Sequence, residues 1–205
     1  MRRCVIVGGA PIVRYADLRA ALRSSDFFIF CDGGLQHAEA LGVRPGLIVG
    51  DFDSHPVPET AIETIVLPRE KDDTDTVFAA REAVRRGFDD FLLLGCVGAR
   101  LDHSLGNIAL LLMLHRLGKS ALLLDDYGEM EIVGAADIAE DVPYFSLLAV
   151  DGAASGVCIE NAKYPLSDAV IAPDYAYAVS NEPLPGGARV RVGQGRLLLI
   201  RIRRE

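Results

Sequence analysis

The chain of 205 residues has no tryptophan, and aromatic residues make up only 7% of it, so no indole is available to stack on a flat ligand. Basic residues are also few: 21 Lys plus Arg stand against 29 Asp plus Glu, a formal charge of −8. Such a surface repels a phosphate backbone rather than releasing its counterions, which disfavours nucleic acid as a partner. The dense basic runs, Arg85–Arg86 and Arg201–Arg204, read as solvated faces. Long hydrophobic runs are missing too. The stretch Ile108–Leu114 falls well short of the roughly 20 residues of a bilayer span. Met1-Arg2-Arg3 and the apolar residues up to Gly9 imitate a signal peptide, but the run is too short and lacks a small-residue cleavage site. These features predict a cytoplasmic protein with no membrane partner. Cys4, Cys31, Cys96 and Cys158 form no CxxC pair and read as buried thiols rather than disulfides or a zinc site. There is no low-complexity segment and no solenoid period. The P-loop pattern GxxxxGK[ST] and the nucleophile elbow GxSxG are absent, and Gly8-Gly9-Ala10-Pro11 fails the dinucleotide fingerprint GxGxxG.

What is present is the composition of a globular protein, 50% hydrophobic and 24% charged. In the first half short apolar runs alternate with helical periods. Cys4–Val7, Phe27–Cys31, Leu47–Val49, Thr64–Leu67, Phe91–Leu94 and Ala121–Leu124 are the strand candidates. Tyr15–Arg23, Gln36–Leu41, Asp75–Arg86 and Asp102–Leu117 carry apolar residues at helical spacing. Strands apolar on both faces and separated by helices predict a mostly parallel α/β sheet over residues 1–125. Ligands of such sheets bind outside the carboxyl ends of the strands. From residue 126 to 205 the texture changes to short alternating runs: Glu129–Val133, Phe145–Val150, Val157–Glu160, Tyr175–Val179, Arg189–Val192 and Arg196–Arg203. They predict a smaller all-β domain, an antiparallel sandwich or barrel, joined through the acidic segment around Ala135–Asp141.

Almost every loop after a first-half strand carries carboxylates. The second strand runs into Asp32-Gly33-Gly34, the third into Gly50-Asp51-Phe52-Asp53-Ser54, the fourth into Glu70-Lys71-Asp72-Asp73-Thr74-Asp75, and the fifth into Gly98-Ala99-Arg100-Leu101-Asp102-His103. In an extended segment Asp51 and Asp53 would point to one side and face one spot, and such oxygen ligands suit Mg²⁺ better than Zn²⁺ or Ca²⁺. An Asp-rich turn is the equally good structural alternative. Asp73 or Thr74 can cap the helix that begins at Asp75. Capping does not account for Asp72, Asp73 and Asp75 beside Lys71, so a second acidic group near a metal, with Lys71 or the helix N-terminus near phosphate, is plausible. Arg100 suits a phosphate oxygen pair, or else a salt bridge to a nearby acid. His37, His55, His103 and His115 read as satisfied rings, because none has a partner at ligand spacing. Asn107 either bonds into the site or is merely tolerated on its helix.

In this order, DGG at Asp32, GDFDS at Gly50, KDDTD at Lys71, GARLDH at Gly98 and SNE at Ser180 resemble the thiamine pyrophosphokinase family, over nearly the whole chain. The resemblance implies an ATP-binding α/β domain, a β domain for thiamine binding and dimerisation, and a homodimer. It also implies an enzyme that moves a pyrophosphoryl group from ATP to the hydroxyl of thiamine with Mg²⁺, giving thiamine diphosphate and AMP. Carried over by position, it makes Asp51, Asp53 and Asp72 the metal acids and, with Arg100, the catalytic set. Asp32, Gln36, Lys71, Thr74 and Asp75 would lie around ATP, and Asp102, Ser180 and Asn181 would contact thiamine. The family's Asn two residues after DGG is Gln36 here, and its GLKYPL appears as Asn161-Ala162-Lys163-Tyr164-Pro165-Leu166. Tyr164, Tyr175 and Tyr177 are the aromatic candidates for pyrimidine recognition. The rivals are another Mg²⁺-dependent nucleotide phosphotransferase or hydrolase, and a non-catalytic nucleotide or thiamine-binding protein.

Overall fold

The computed structural model describes residues 1–53, 57–70, 72–98 and 100–204. The chain divides into two compact units, Met1–Asp126 and Tyr127–Glu205. The first unit holds β1 (Arg3–Val7), β2 (Phe27–Cys31), β3 (Leu47–Gly50), β4 (Thr64–Val66), β5 (Asp90–Leu94) and β6 (Ser120–Leu124) in the order β4-β3-β2-β1-β5-β6. Every pairing among these six is parallel. The central strands are solidly apolar because both faces are covered, and Val5, Ile6, Val7, Ile29, Phe30 and Leu93 are fully buried.

Among the described residues the strands are connected through α1 (Tyr15–Ala20), α2 (Ala38–Leu41), α3 (Asp75–Arg85) and α4 (Leu101–Arg116). α1 is shorter than its periodic stretch. The segment Asp32–His37, expected to be a turn and then helix, is a 3-10 helix leading into α2. α4 buries Ser104, Asn107, Leu110, Leu111 and Leu114, one stripe at spacings of three and four, and Leu110, Leu111 and Leu114 each contribute roughly 1.5–3 kcal/mol by burial. The chain winds outward from β1 to β4, then returns to place β5 against the other side of β1. The strand order therefore reverses at β1, where an open α/β sheet leaves a crevice beyond its strand carboxyl ends.

The second unit is built of β7 (Gly128–Val133), β8 (Ala135–Ile138), β9 (Tyr144–Leu148), β10 (Ala154–Glu160), β11 (Leu166–Ile171), β12 (Ala188–Arg191) and β13 (Leu197–Ile202). β13 pairs antiparallel with β7 and β9. β10 pairs with β11 and β12, and β12 with β8, all antiparallel. Val133, Phe145, Leu147, Leu197 and Leu199 from the first group share one core with Ile138, Val157, Ile159, Ile171 and Val190 from the second. Two expectations change here. The acidic segment at Ala135, expected to join the two domains, is strand β8, its alternation hidden by Asp137. Tyr175–Val179 forms no strand: Tyr175 makes an isolated bridge to Ala172, and the strand of that region is β11, whose Ser167 and Asp168 masked it in the sequence. No helix among the described residues is long and apolar enough to cross a membrane.

Candidate active site

A crevice of about 560 Å³ opens at the point where the strand order reverses, a volume in the usual range for a small-molecule site. Its walls come from the segments after β1 (Gly8–Pro11), β2 (Asp32 and Gly33), β3 (Asp51), β4 (Arg69 and Asp72–Thr76) and β5 (Gly95, Cys96, Gly98 and Arg100), and from the first turns of α4. The strand tips approach so closely that side chains are excluded. A Cβ on Gly34 would lie 2.2 Å from the Val7 carbonyl oxygen, and one on Gly50 would lie 3.0 Å from Cβ of Asp32. The glycines of DGG and GDFDS thus let acidic residues of neighbouring strands meet.

Asp32, Asp51 and Asp53 each offer a carboxylate oxygen within 4.8 Å of the others. The Asp51–Asp53 pair converges by a route other than strand alternation. Phe52 is left-handed at φ 50°, and the Asp53 N–H donates to Asp51 Oδ1 at 3.3 Å, so an Asx-type turn folds the two acids together. The turn and the ligand set are therefore one object. Asp32 is also left-handed, at φ 36°. Backbone of this kind outside glycine costs of order 1–3 kcal/mol, and it concentrates at functional sites. Three hard carboxylates, with room beside them for water or phosphate, fit Mg²⁺. The third member of the group is Asp32 rather than the expected Asp72. Asp72 is exposed and lines the same crevice. Lys71, along with Ser54 and His55, lies outside the described residues.

The N-termini of α3 and α4 both reach the crevice, placing positive helix ends near the acids. Thr74 is the α3 cap and accepts from Val77 N–H at 3.3 Å. Its hydroxyl lies 3.1 Å from that of Thr76, which donates to Asn107 Oδ1 at 2.8 Å. Because the Thr76 proton is spent on Asn107, the Thr74 hydroxyl must be the donor in the first of these bonds. Asn107 then donates to the Cys96 carbonyl at 2.8 Å. The relay buries Asn107, ties α3 to α4 and β5, and leaves Thr74 Oγ as an acceptor toward the crevice rather than a donor. Burial pushes the Cys96 thiol up to about 12 and Cys31 well above its ordinary value, so neither is a nucleophile.

Arg100 lines the crevice but donates to Asp102 through Nε at 3.0 Å and Nη2 at 2.7 Å. The Arg100 guanidinium holds the Asp102 carboxyl well below its usual range. Both side chains are mostly exposed, so an incoming anion can compete for Arg100 at little cost. Gln36 is exposed and approaches the Gly9 carbonyl only at 3.5 Å. Asp75 and the exposed His103 line the crevice. Ser180 and Asn181 belong to the second unit. Asn181 is buried, and its amide is consumed there: it donates to the Tyr164 carbonyl at 2.8 Å and accepts from the Tyr164 and Glu182 N–H groups at 3.0 and 2.9 Å. Ser180 is left-handed at φ 56°. Tyr164, Tyr175 and Tyr177 are exposed, and the last two pack with ring centroids 5.1 Å apart. Sequence reasoning missed Arg69, whose signal was a cation just before the acidic loop that follows the fourth strand. It also missed the Gly8–Pro11 wall, which was weighed only against dinucleotide fingerprints.

A parallel sheet with acids and two helix N-termini gathered at its reversal point defines an α/β enzyme working at its carboxyl edge. The family model described as thiamin pyrophosphokinase, catalytic domain, matches residues 18–123, more than half of the chain. The chain belongs to the thiamin pyrophosphokinase family and is an enzyme, a transferase whose family reaction forms thiamine diphosphate. It is 28% identical to thiamine pyrophosphokinase of Bacillus subtilis over 98% of this chain and 99% of that one. The crystal structure of the B. subtilis enzyme has a TM-score of 0.85 at 25% identity, covering 98% of both chains. That of thiamin pyrophosphokinase from Geobacillus thermodenitrificans has a TM-score of 0.83 at 26% identity, covering 98% of this chain and 97% of that one. The Candida albicans enzyme, at 14% identity and a TM-score of 0.77 over 98% of this chain and 89% of that one, shares the fold.

Proposed function

We propose that this chain transfers the pyrophosphoryl group of ATP to the hydroxyl of thiamine with Mg²⁺, releasing AMP. The observation that carries the reading is the convergence of Asp32, Asp51 and Asp53 at the crevice. Attack of an alcohol on the β-phosphorus asks the protein mainly for in-line positioning and charge neutralisation. Asp32, Asp51 and Asp53 would hold Mg²⁺, and Asp72 lines the same crevice. Bound there, the ion supplies neutralisation of the triphosphate. Arg100, released from Asp102, would face the phosphate oxygens, with Arg69, Lys71 and the N-termini of α3 and α4 adding positive potential. Thr74 and Asp75 then shape the ATP side, and Gln36 stands near it in place of the family's Asn. A carboxylate such as Asp72 or Asp102 is the candidate acceptor of the hydroxyl proton, a modest contribution when the transition state is loose.

The division of labour follows the two units, ATP with the first and thiamine with the second. For Asn181 a scaffolding role is the better reading, since its amide already fixes the Tyr164–Glu182 turn, and Ser180 is then the candidate contact. The active species would be a homodimer in the cytoplasm. Phosphorus NMR of a reaction with ATP, Mg²⁺ and thiamine tests the chemistry. AMP and thiamine diphosphate in equal amounts are expected, whereas ADP or free pyrophosphate as the product would refute it.

A further inference from the structure

The segments that follow β1 and β2 both line the crevice, and a buried side chain ties them together. His37, at the end of the 3-10 segment after β2, is 3% exposed. Its Nε2 lies 3.0 Å from the Ala10 carbonyl oxygen in the segment after β1, and its Nδ1 lies 2.8 Å from the Tyr15 hydroxyl at the start of α1. A carbonyl only accepts, so Nε2 must carry the proton. In the neutral ring Nδ1 is then the acceptor and Tyr15 the donor. Burial lowers the pKa of His37, which favours this neutral form. The tyrosine ring also packs against the imidazole, with centroids 5.9 Å apart.

The wall that this ring holds, Gly8–Pro11, is bonded to the segments on both sides of it. The Gly8 and Ala10 N–H groups donate to the Leu94 and Gly95 carbonyls at 2.8 and 2.9 Å, fastening the wall to β5, and Pro11 has no N–H. His37 supplies the corresponding tie to the β2 side. Both polar groups of Ala10 are thereby consumed.

We propose that His37, held as the Nε2–H tautomer by Tyr15, is a positioning residue that fixes the Gly8–Pro11 wall in the shape that receives the nucleotide. The inference rests on the reading that this crevice takes ATP. Two variants separate the two ring nitrogens. His37→Gln places an amide N–H near the position of Nε2 and keeps the bond to Ala10, whereas His37→Asn reaches only the Nδ1 position and loses it.

In steady-state kinetics of the full-length enzyme, His37→Asn should raise KM for ATP about 3- to 10-fold, the equilibrium effect of one hydrogen bond. Its kcat and its KM for thiamine should stay within about twofold, and His37→Gln should restore most of the ATP affinity. Equal effects of the two variants, or parallel losses in kcat and both KM values, would overturn the positioning role. Long-range proton–nitrogen correlation spectra of the wild-type imidazoles, with His37 identified by its loss in His37→Gln, read the ring directly. A neutral Nε2–H pattern at pH 7 is expected, and a Nδ1–H or protonated pattern would overturn the clamp. Wild-type enzyme that shows the Nε2–H ring but no binding of ATP with Mg²⁺ would overturn the nucleotide half of the proposal, and with it the reading of the crevice, while the ring geometry stands.

Discussion

Replacing Asn107 removes the centre of the Thr74–Thr76–Asn107–Cys96 relay, and the structure sets the size of the loss. Asn107 is 5% exposed, donates to the Cys96 carbonyl and accepts from the Thr76 hydroxyl, both at 2.8 Å. In Asn107→Leu both partners stay buried without their bonds, at about 1–3 kcal/mol each, and the added apolar burial returns about 1 kcal/mol. The net expectation is a destabilisation of about 1–5 kcal/mol, against the roughly 5–15 kcal/mol that holds a domain folded. Asn107→Asp keeps the acceptor for Thr76 but sets a carboxylate oxygen against the Cys96 carbonyl. It should cost at least as much at pH 7. Its buried carboxyl should titrate above the usual carboxylate range, so the loss should shrink as pH falls and an O–H donor returns. Urea unfolding of wild type and both variants at pH 7 and pH 5, with equal slopes, measures these differences. If both variants unfold within about 0.5 kcal/mol of wild type, the relay contributes no more than a surface contact, and the reasoning fails.

Asp53→Ala should lower turnover by at least about 100-fold, the scale of removing a major electrostatic element, while the cooperative melt is retained. Near-normal kcat in the folded variant would remove Asp53 from the metal set. Bonds from the Arg85 guanidinium, joined by Arg86, hold Glu82 down from 4.5 to about 2 despite its burial. For an acid with a lowered folded-state pKa, the stabilisation is complete above the unfolded value and is lost on acidification, here between about pH 4.5 and 2. Glu82→Gln should therefore lower the urea midpoint at pH 6 and converge on wild type near pH 2; a gap independent of pH would refute the assignment. Sedimentation of the active enzyme should show a homodimer, and an active monomer would refute that expectation.

Much of the first unit is legible in the sequence because a parallel strand buried on both faces must be continuously apolar. Phe27–Cys31 coincides with β2, and each of the other five strands differs by one residue at one end. Thr74 as a cap, Asp75 as the start of α3 and the acidic loops at the strand tips are local signals of the same kind. The second unit was harder to read. Ser167 and Asp168 in β11 and Asp137 in β8 are exposed faces of strands, indistinguishable by composition from the polar loops beside them. His37 shows the limit in another way: the sequence could call its ring satisfied, but not that Tyr15 and Ala10 satisfy it.

The sequence by itself determined that acids would crowd the carboxyl edge of a parallel sheet, since each acidic cluster follows its own apolar strand along the chain. Only the tertiary structure decided which acids meet. β2 and β3 are hydrogen-bonded neighbours, separated by the usual spacing of about 4.8 Å, so Asp32 at one tip falls beside Asp51 and Asp53 at the next. Asp72, as far along the chain from the Asp51–Asp53 pair as Asp32 is, follows a further strand and a loop, so distance in sequence does not decide which of the two joins the pair.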